Sequence, residues 1–427
     1  MRRGNSSLAS LLASLLNMNL VAAILIIIAA LMLAGGVPAN ASSGKVLYSF
    51  RGGSDGTNPS TGLVADAAGN LYGTTTDGGT GACTGGCGTV FELKPAAGGG
   101  WTESVIYNFQ AGNDGAFPSA GLVFDQVGNL YGTTLGGGPS LDGTVFQLSP
   151  SQGGGWSETV LHIFTNRDGA YPVDSLIFDQ AGNLYGTTLF GGRFGGGTAF
   201  ELTPPSQGGG WSLSTLHDFT GRNDGIDPEA GLIFDQGGGQ RGALYGTTMA
   251  GNVFELVHQT EWRLKVLYTF GGGLNGGPLS AGTLLAGKNG VLYGTQKFGS
   301  GAANAGAVYQ LTPPASGGGA WTEATIYRFT GGADGAYPLA GVISDRAGNL
   351  YGTTAGNGQS NQGTVFRLTP PTVPGSSWTE TTLHTFTGGS DGAGSSASLI
   401  FGRGGALYGT TAGGGAFGLG TVFKIVP

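Results

Sequence analysis

The sequence predicts an all-β protein, a seven-bladed β-propeller with four antiparallel strands per blade and the last blade closed by the N-terminal strand. Three observations carry this expectation. Leu-Tyr-Gly-Thr recurs seven times, its tyrosine at Tyr72, Tyr131, Tyr185, Tyr245, Tyr293, Tyr351 and Tyr408, at intervals of 48 to 60 residues. Each copy lies in a unit with four strand-like runs. The seventh unit stops after its third run, and the missing fourth run is found at the other end of the chain.

The second unit shows the elements in order. Residues 121–125 (Gly-Leu-Val-Phe-Asp) read as a strand apolar on both faces, as expected for one sandwiched between neighbouring sheets. Asp125 and Gly128 make the turn into the second strand, 129–134, the aspartate capping free amides and the glycine free to take positive φ. A Gly-rich loop leads to the third strand, 143–149, and Trp156 opens the fourth, 156–164; these last two alternate as half-buried strands do. Trp101, Trp156, Trp211, Trp262, Trp321 and Trp378 open the six internal fourth strands. The seventh unit ends at 420–426, and Lys45-Val-Leu-Tyr-Ser-Phe50 matches the end of a fourth strand. Pairing the two closes the ring and removes the open edges that invite aggregation.

The repeat Asp-x-x-Gly-Asn-Leu-Tyr-Gly-Thr-Thr, followed by Gly-Thr-Val-Phe-x-Leu-x-Pro, resembles the GloVer tandem repeat of exported bacterial proteins, over about residues 45–427. A more distant likeness is to NHL-type and two-component-regulator propeller repeats. Both resemblances imply a fold, and neither brings a catalytic residue.

Composition fits this reading. Glycine (89 residues) and proline (18) are abundant, but the strict period places them in turns between packed strands. A net charge of −7 with no basic run leaves no electrostatic footprint for nucleic acid. Arg2 and Arg3, an apolar stretch from Leu20 to Leu33 and the sequence Val-Pro-Ala39-Asn40-Ala41 have the layout of a secretory signal. The apolar stretch falls short of the ~20 residues of a spanning helix, so residues 1–41 are assigned to a signal peptide and 42–427 to the propeller. The alternative is an uncleaved anchor. The expected product is a monomer, secreted or periplasmic, with no membrane span after cleavage. Cys83 and Cys87 are the only cysteines, and an oxidising compartment favours a disulfide between them over a zinc site, which would want four ligands.

Chemistry is harder to find. No Gly-x-Ser-x-Gly elbow, His-Glu-x-x-His, EF-hand loop or P-loop occurs, and no cofactor or metal site is expected. His162, His217 and His384 alternate with Tyr48, Tyr107, Tyr268 and Tyr327 at one repeat position, which is a packing signal, and His258 stands in a connection unique to the fourth unit. Asp-Gly recurs in the loop before each first strand as Asp55, Asp114, Asp168, Asp224, Asp334 and Asp391, with Asn275 in the fifth copy. These read as turn caps or as a ligand collar. Turn caps are preferred, because calcium needs six to eight oxygens at one point. Asp174, Asp227 and Glu229 are the carboxylates that depart most from the repeat, in loops near the funnel mouth.

Two function classes follow. The first is an exported binding scaffold for a glycan, polymer or protein. The alternative is a lyase or glycoside hydrolase with its site in the central funnel. A binding site should show as a departure from the consensus. The fourth unit has almost no loop between its second and third strands, leaving a notch flanked by Phe190, Arg193 and Phe194 on one side and Lys297 and Phe298 on the other. Cations beside aromatics suit the apolar faces and hydroxyls of sugars or an acidic partner, so the notch is the expected main binding site, for a glycan or an acidic polymer.

Overall fold

The structure, a computed structural model, describes residues 43–427 apart from 207, 236–241, 272–279, 300–302, 316–317, 357–360 and 374. The signal segment 1–41 and Asn275 lie outside the described residues. Seven four-stranded antiparallel sheets follow one another. The first comprises Val64–Ala65, Leu71–Thr75, Thr89–Pro95 and Trp101–Asn108. The seventh comprises Ile400–Phe401, Leu407–Thr411 and Thr421–Val426, completed by Ser43–Ser49 from the N-terminus. Val46 pairs with Phe423 and Tyr48 with Val422, and the amide of Phe50 donates to the carbonyl of Gly420 at 3.0 Å. Among the described residues no helix is long and apolar enough to cross a membrane.

The innermost strands are shorter than the sequence pattern suggests. In the second blade only Val123–Phe124 enters the ladder, not the full run 121–125, and both residues are half-buried. The preceding backbone bonds to the neighbouring blade instead of its own. The Thr74 hydroxyl donates to the carbonyl of Ala120, and Thr133, Thr187, Thr295 and Thr353 repeat that reach from blade to blade. Thr410 does the same to Thr61 at 2.9 Å, joining the last blade to the first.

Burial between blades explains the consensus. The phenylalanine ending each outermost strand meets an aromatic ring on the third strand of the next blade: Phe109 packs edge-on against Phe146 at 5.1 Å, and Phe50 against Phe91 at 5.1 Å. Each such ring contributes about 1.5–3 kcal/mol by burial. The glycine of Leu-Tyr-Gly-Thr is the floor under this ring, since a Cβ on Gly132 would lie 2.7 Å from Cζ of Phe146. The tyrosine beside it meets the tryptophan of the next blade, as Tyr72 meets Trp156 at 6.1 Å. In the turn between first and second strands, the Asp125 carboxylate accepts from the amides of Val127 and Asn129 and from the Asn129 side chain.

Candidate functional site

The segments that precede the innermost strands converge on the axis and almost close it. A Cβ on Gly341 would lie 2.1 Å from the carbonyl oxygen of Thr283, so only glycine allows these blades to approach. Above this constriction, on the face that carries the loops between second and third strands, lies a cup of about 360 Å³. Ser60, Thr61, Ser119, Ser175, Thr283 and Ser396 line it, with Leu135 and Leu189 at its side.

Among the described residues three charged side chains enter this cup, and none belongs to the repeat consensus. Asp174, from the third blade, is held by the fourth and fifth. One oxygen accepts from its neighbour's amide at Ser175, and the other accepts from the amide of Gly231 at 2.5 Å and the Thr283 hydroxyl at 2.7 Å. Glu229, from the fourth blade, is exposed where it lines the cup, yet the protein packed around it desolvates the carboxylate. That desolvation raises its pKa above the ordinary range; Lys297 pulls it back, and Asp174 and Asp227 push it further up. Lys297, from the fifth blade, lines the same cup, with Nζ 5.2 Å from the ring centre of Phe298. Among the described residues no ion pair joins Glu229 to Lys297.

The notch and the irregular carboxylates, separate features in the sequence, therefore share one opening through Lys297. Its short loop is a tight turn in which the Gly251 amide donates to the carbonyl of Thr248 at 2.9 Å. The other notch residues do not line the cup. Arg193 lies 5.3 Å from the Phe194 ring centre within its own loop, Phe190 meets Tyr171 edge-on, and Phe298 packs against Tyr337. Phe190 and Phe194 are exposed. Asp227 also stays outside the cup, with burial raising its pKa and Oδ1 lacking a hydrogen-bond partner. Its positive φ of 55° recurs at Asn58, Phe117, Tyr171 and Tyr337, so this backbone conformation belongs to the repeat rather than to a site. Each of these amides donates to the preceding blade, as Phe117 does to Cys87 at 2.8 Å.

The acidic ring is built into the scaffold. Asp114 accepts from the Gln110 amide at 2.9 Å and the Tyr107 hydroxyl at 3.1 Å; Asp55 accepts likewise from Arg51 and Tyr48. Asp334 takes the Thr330 amide and the Tyr327 hydroxyl. Asp168, Asp224 and Asp391 cap their turns and face His162, His217 and His384 at 3.0, 3.0 and 3.3 Å. Tyrosine and histidine interchange because either ring can present a donor to the same carboxylate.

A second regularity follows that the sequence reading missed. Four residues before each of these rings stands a residue whose type follows the ring one blade earlier. After Tyr48, Tyr107, Tyr268 and Tyr327 it is Glu103, Glu158, Glu323 and Glu380; after His162, His217 and His384 it is Leu213, Leu264 and Gly44. Glu103 packs against Asp55 and Tyr48, and burial, then its hydrogen bond to Asp55, push its pKa up to about 8. Glu158 is raised to about 7 by burial and then by Asp114. Pairing two carboxyls across a seam favours a shared proton.

Cys83 and Cys87 are bonded to each other, with Cα atoms 5.1 Å apart, in the first blade's loop. Among the described residues no group of three or more His, Cys, Asp or Glu side chains is gathered as a metal site would require.

Fold and repeat define a closed seven-bladed repeat propeller with a polar cup at its axis. The chain belongs to the Gloeobacter/Verrucomicrobia repeat family, whose model matches residues 37–177, 152–319 and 282–427. No curated protein sequence matches it. A fungal alcohol oxidase of the AA5 family, solved in complex with copper, is similar at 12% identity and a TM-score of 0.51, over 90% of this chain and 76% of that one. A Dyadobacter fermentans DSM 18053 protein of unknown function aligns at 11% identity and a TM-score of 0.44, over 90% of this chain and 98% of that one. At such identity the oxidase likeness speaks for the fold alone.

Proposed function

We propose that the protein is an exported binding module and that the axial cup holds one saccharide unit of a glycan. The observation that carries this reading is the convergence of Asp174, Glu229 and Lys297, from three consecutive blades, in one cavity otherwise lined largely by small residues, serine and threonine among them. A carboxylate and an ammonium sharing a cup attract neither a simple anion nor a simple cation. A sugar hydroxyl, which donates to one and accepts from the other, satisfies both. The exposed aromatics Phe190 and Phe194, with Arg193 and Phe298, supply a rim for further sugar rings. Asp174 supports binding over hydrolysis or lyase chemistry, because donors from three blades already occupy its oxygens.

A glycan array probed with residues 42–427 tests the proposal. Glu229→Gln and Lys297→Met should each weaken the selected glycan about tenfold, the scale of a lost charged hydrogen bond. Unchanged affinity in both variants would remove the cup from consideration. Export is read from the N-terminus of the protein recovered outside the cytoplasm, which should begin at Ser42; an intact Met1 there would contradict the signal peptide.

A further inference from the structure

We infer that the seam between the third and fourth blades, on the face opposite the cup, is a second binding site and that it takes an organic ammonium group. A cavity of about 300 Å³ opens there, lined by Asp179, Asn183, Tyr185 and Glu201 of the third blade and His258 and Trp262 of the fourth.

The fourth unit makes this seam unlike the others. In the first two blades the strand-opening tryptophan lies across from a proline, Trp101 from Pro95 and Trp156 from Pro150, and a glycine-rich hairpin of five residues joins them; the hairpins from Pro204, Pro313 and Pro370 to Trp211, Trp321 and Trp378 run to six or seven. In the fourth unit the hairpin shrinks to Gln259-Thr260-Glu261, closed by a bond from the Gln259 amide to the Glu261 carbonyl at 3.1 Å. His258 becomes the cross-strand partner of Trp262, with ring centres 5.1 Å apart. Tyr185 reaches the same tryptophan edge-on at 6.2 Å. Three aromatic rings therefore border one cavity.

Charge selects the ligand. The Tyr185 hydroxyl bridges Asp179 at 3.2 Å and Glu201 at 3.1 Å, and burial, followed by these two carboxylates, pushes its pKa up. Where other blades carry a glutamate at the Glu201 position, a lysine answers it: Lys94 lies 2.9 Å from Glu92, and Lys265 lies 3.9 Å from Glu255. Among the described residues neither lysine nor arginine lines the cavity beside Glu201. Two carboxylates with no cation among the described lining residues, beside three aromatic rings, suit a positive group held partly by ring faces. A bare divalent ion fits poorly, since Asp179 already accepts from the amides of Ala181 and Asn183 and from the Asn183 side chain. An alkylated ammonium needs no hydrogen bonds. A groove of about 420 Å³ that shares Asp179 and Ala181 continues past Phe178, Val127 and Phe124, giving space to the remainder of such a ligand.

Choline chloride, titrated into residues 42–427 with tryptophan fluorescence and calorimetry as readouts, tests this site. Saturable binding is expected, with 3,3-dimethyl-1-butanol, the neutral isostere, at least about tenfold weaker. Glu201→Gln and His258→Pro, which restores the repeat residue, should each reduce choline affinity while melting temperature is retained. Glu229→Gln in the cup should leave it unchanged, which separates this site from the glycan proposal. Co-sedimentation with phosphatidylcholine vesicles would mark a lipid headgroup as the source; binding of choline without vesicle binding would mark a small free ligand. Absence of saturation, equal binding of the neutral isostere, or full affinity in Glu201→Gln would overturn the inference.

Discussion

Replacing Glu103 and Glu158 by glutamine should flatten the pH dependence of stability. Both carboxyls bind their proton more tightly in the folded protein than in the unfolded chain, with pKa values raised from 4.5 to about 8 and about 7. The stabilisation is then fully present below pH 4.5 and is lost as pH rises through about 7 to 8. Undiminished, such shifts would be worth several kcal/mol, but both side chains are half-buried, and solvent screening brings each to about 1–2 kcal/mol. At about 2 °C per kcal/mol for a chain of this size, the pair contributes a fall of about 4–8 °C between pH 5 and pH 8.5. Glutamine keeps an N–H donor toward Asp55 and Asp114 and cannot ionise. Thermal melts across that range should therefore show a steeper decline in the wild type than in the double variant. His162 works in the opposite sense, because burial lowers its pKa against the pull of Asp168, but it is common to both proteins and cancels in the comparison. Parallel melting profiles would refute the shared-proton account of the seams.

Three further outcomes follow from the packing. Gly132→Ala should cost about 1–3 kcal/mol in denaturant unfolding, because its Cβ would press on Phe146 and Leu122, both buried between blades. His162→Tyr and Leu213→Glu should each destabilise alone but together recreate a Tyr–Glu seam, giving a favourable coupling of about 1 kcal/mol in a double-mutant cycle. Serine at Cys83 and Cys87 should lower stability by only about 1–2 kcal/mol and leave the propeller folded by circular dichroism, since the bridge closes a loop four residues apart in sequence.

The ring was legible because its signals are periodic and local. Seven Leu-Tyr-Gly-Thr copies, six tryptophans and an unmatched strand at each end specify blade number and closure without any knowledge of contacts. The innermost strands were overextended because the apolar run 121–125 reads as one element, whereas Ala120 just before it bonds Thr74 across the seam. The acidic ring reads in the sequence as turn caps, whereas its aromatic partners, six or seven residues upstream on the outermost strand, come into view only with the fold. The cup was half visible. Asp174 and Glu229 break the consensus just before the innermost strands, and Lys297 flanks the missing loop, yet their meeting depends on three blades converging at the axis. The seam partners Tyr107 and Glu158 were readable in principle, since the residue four before each tyrosine or histidine co-varies with the ring one blade earlier.

The central claim, that the axial cup is the ligand site, is tested most directly by a crystal structure of residues 42–427 with the glycan that an array selects. The account predicts a sugar ring above the constriction, with hydroxyls within hydrogen-bond distance of both Glu229 and Lys297. A glycan bound elsewhere, with the cup holding only water, would contradict it.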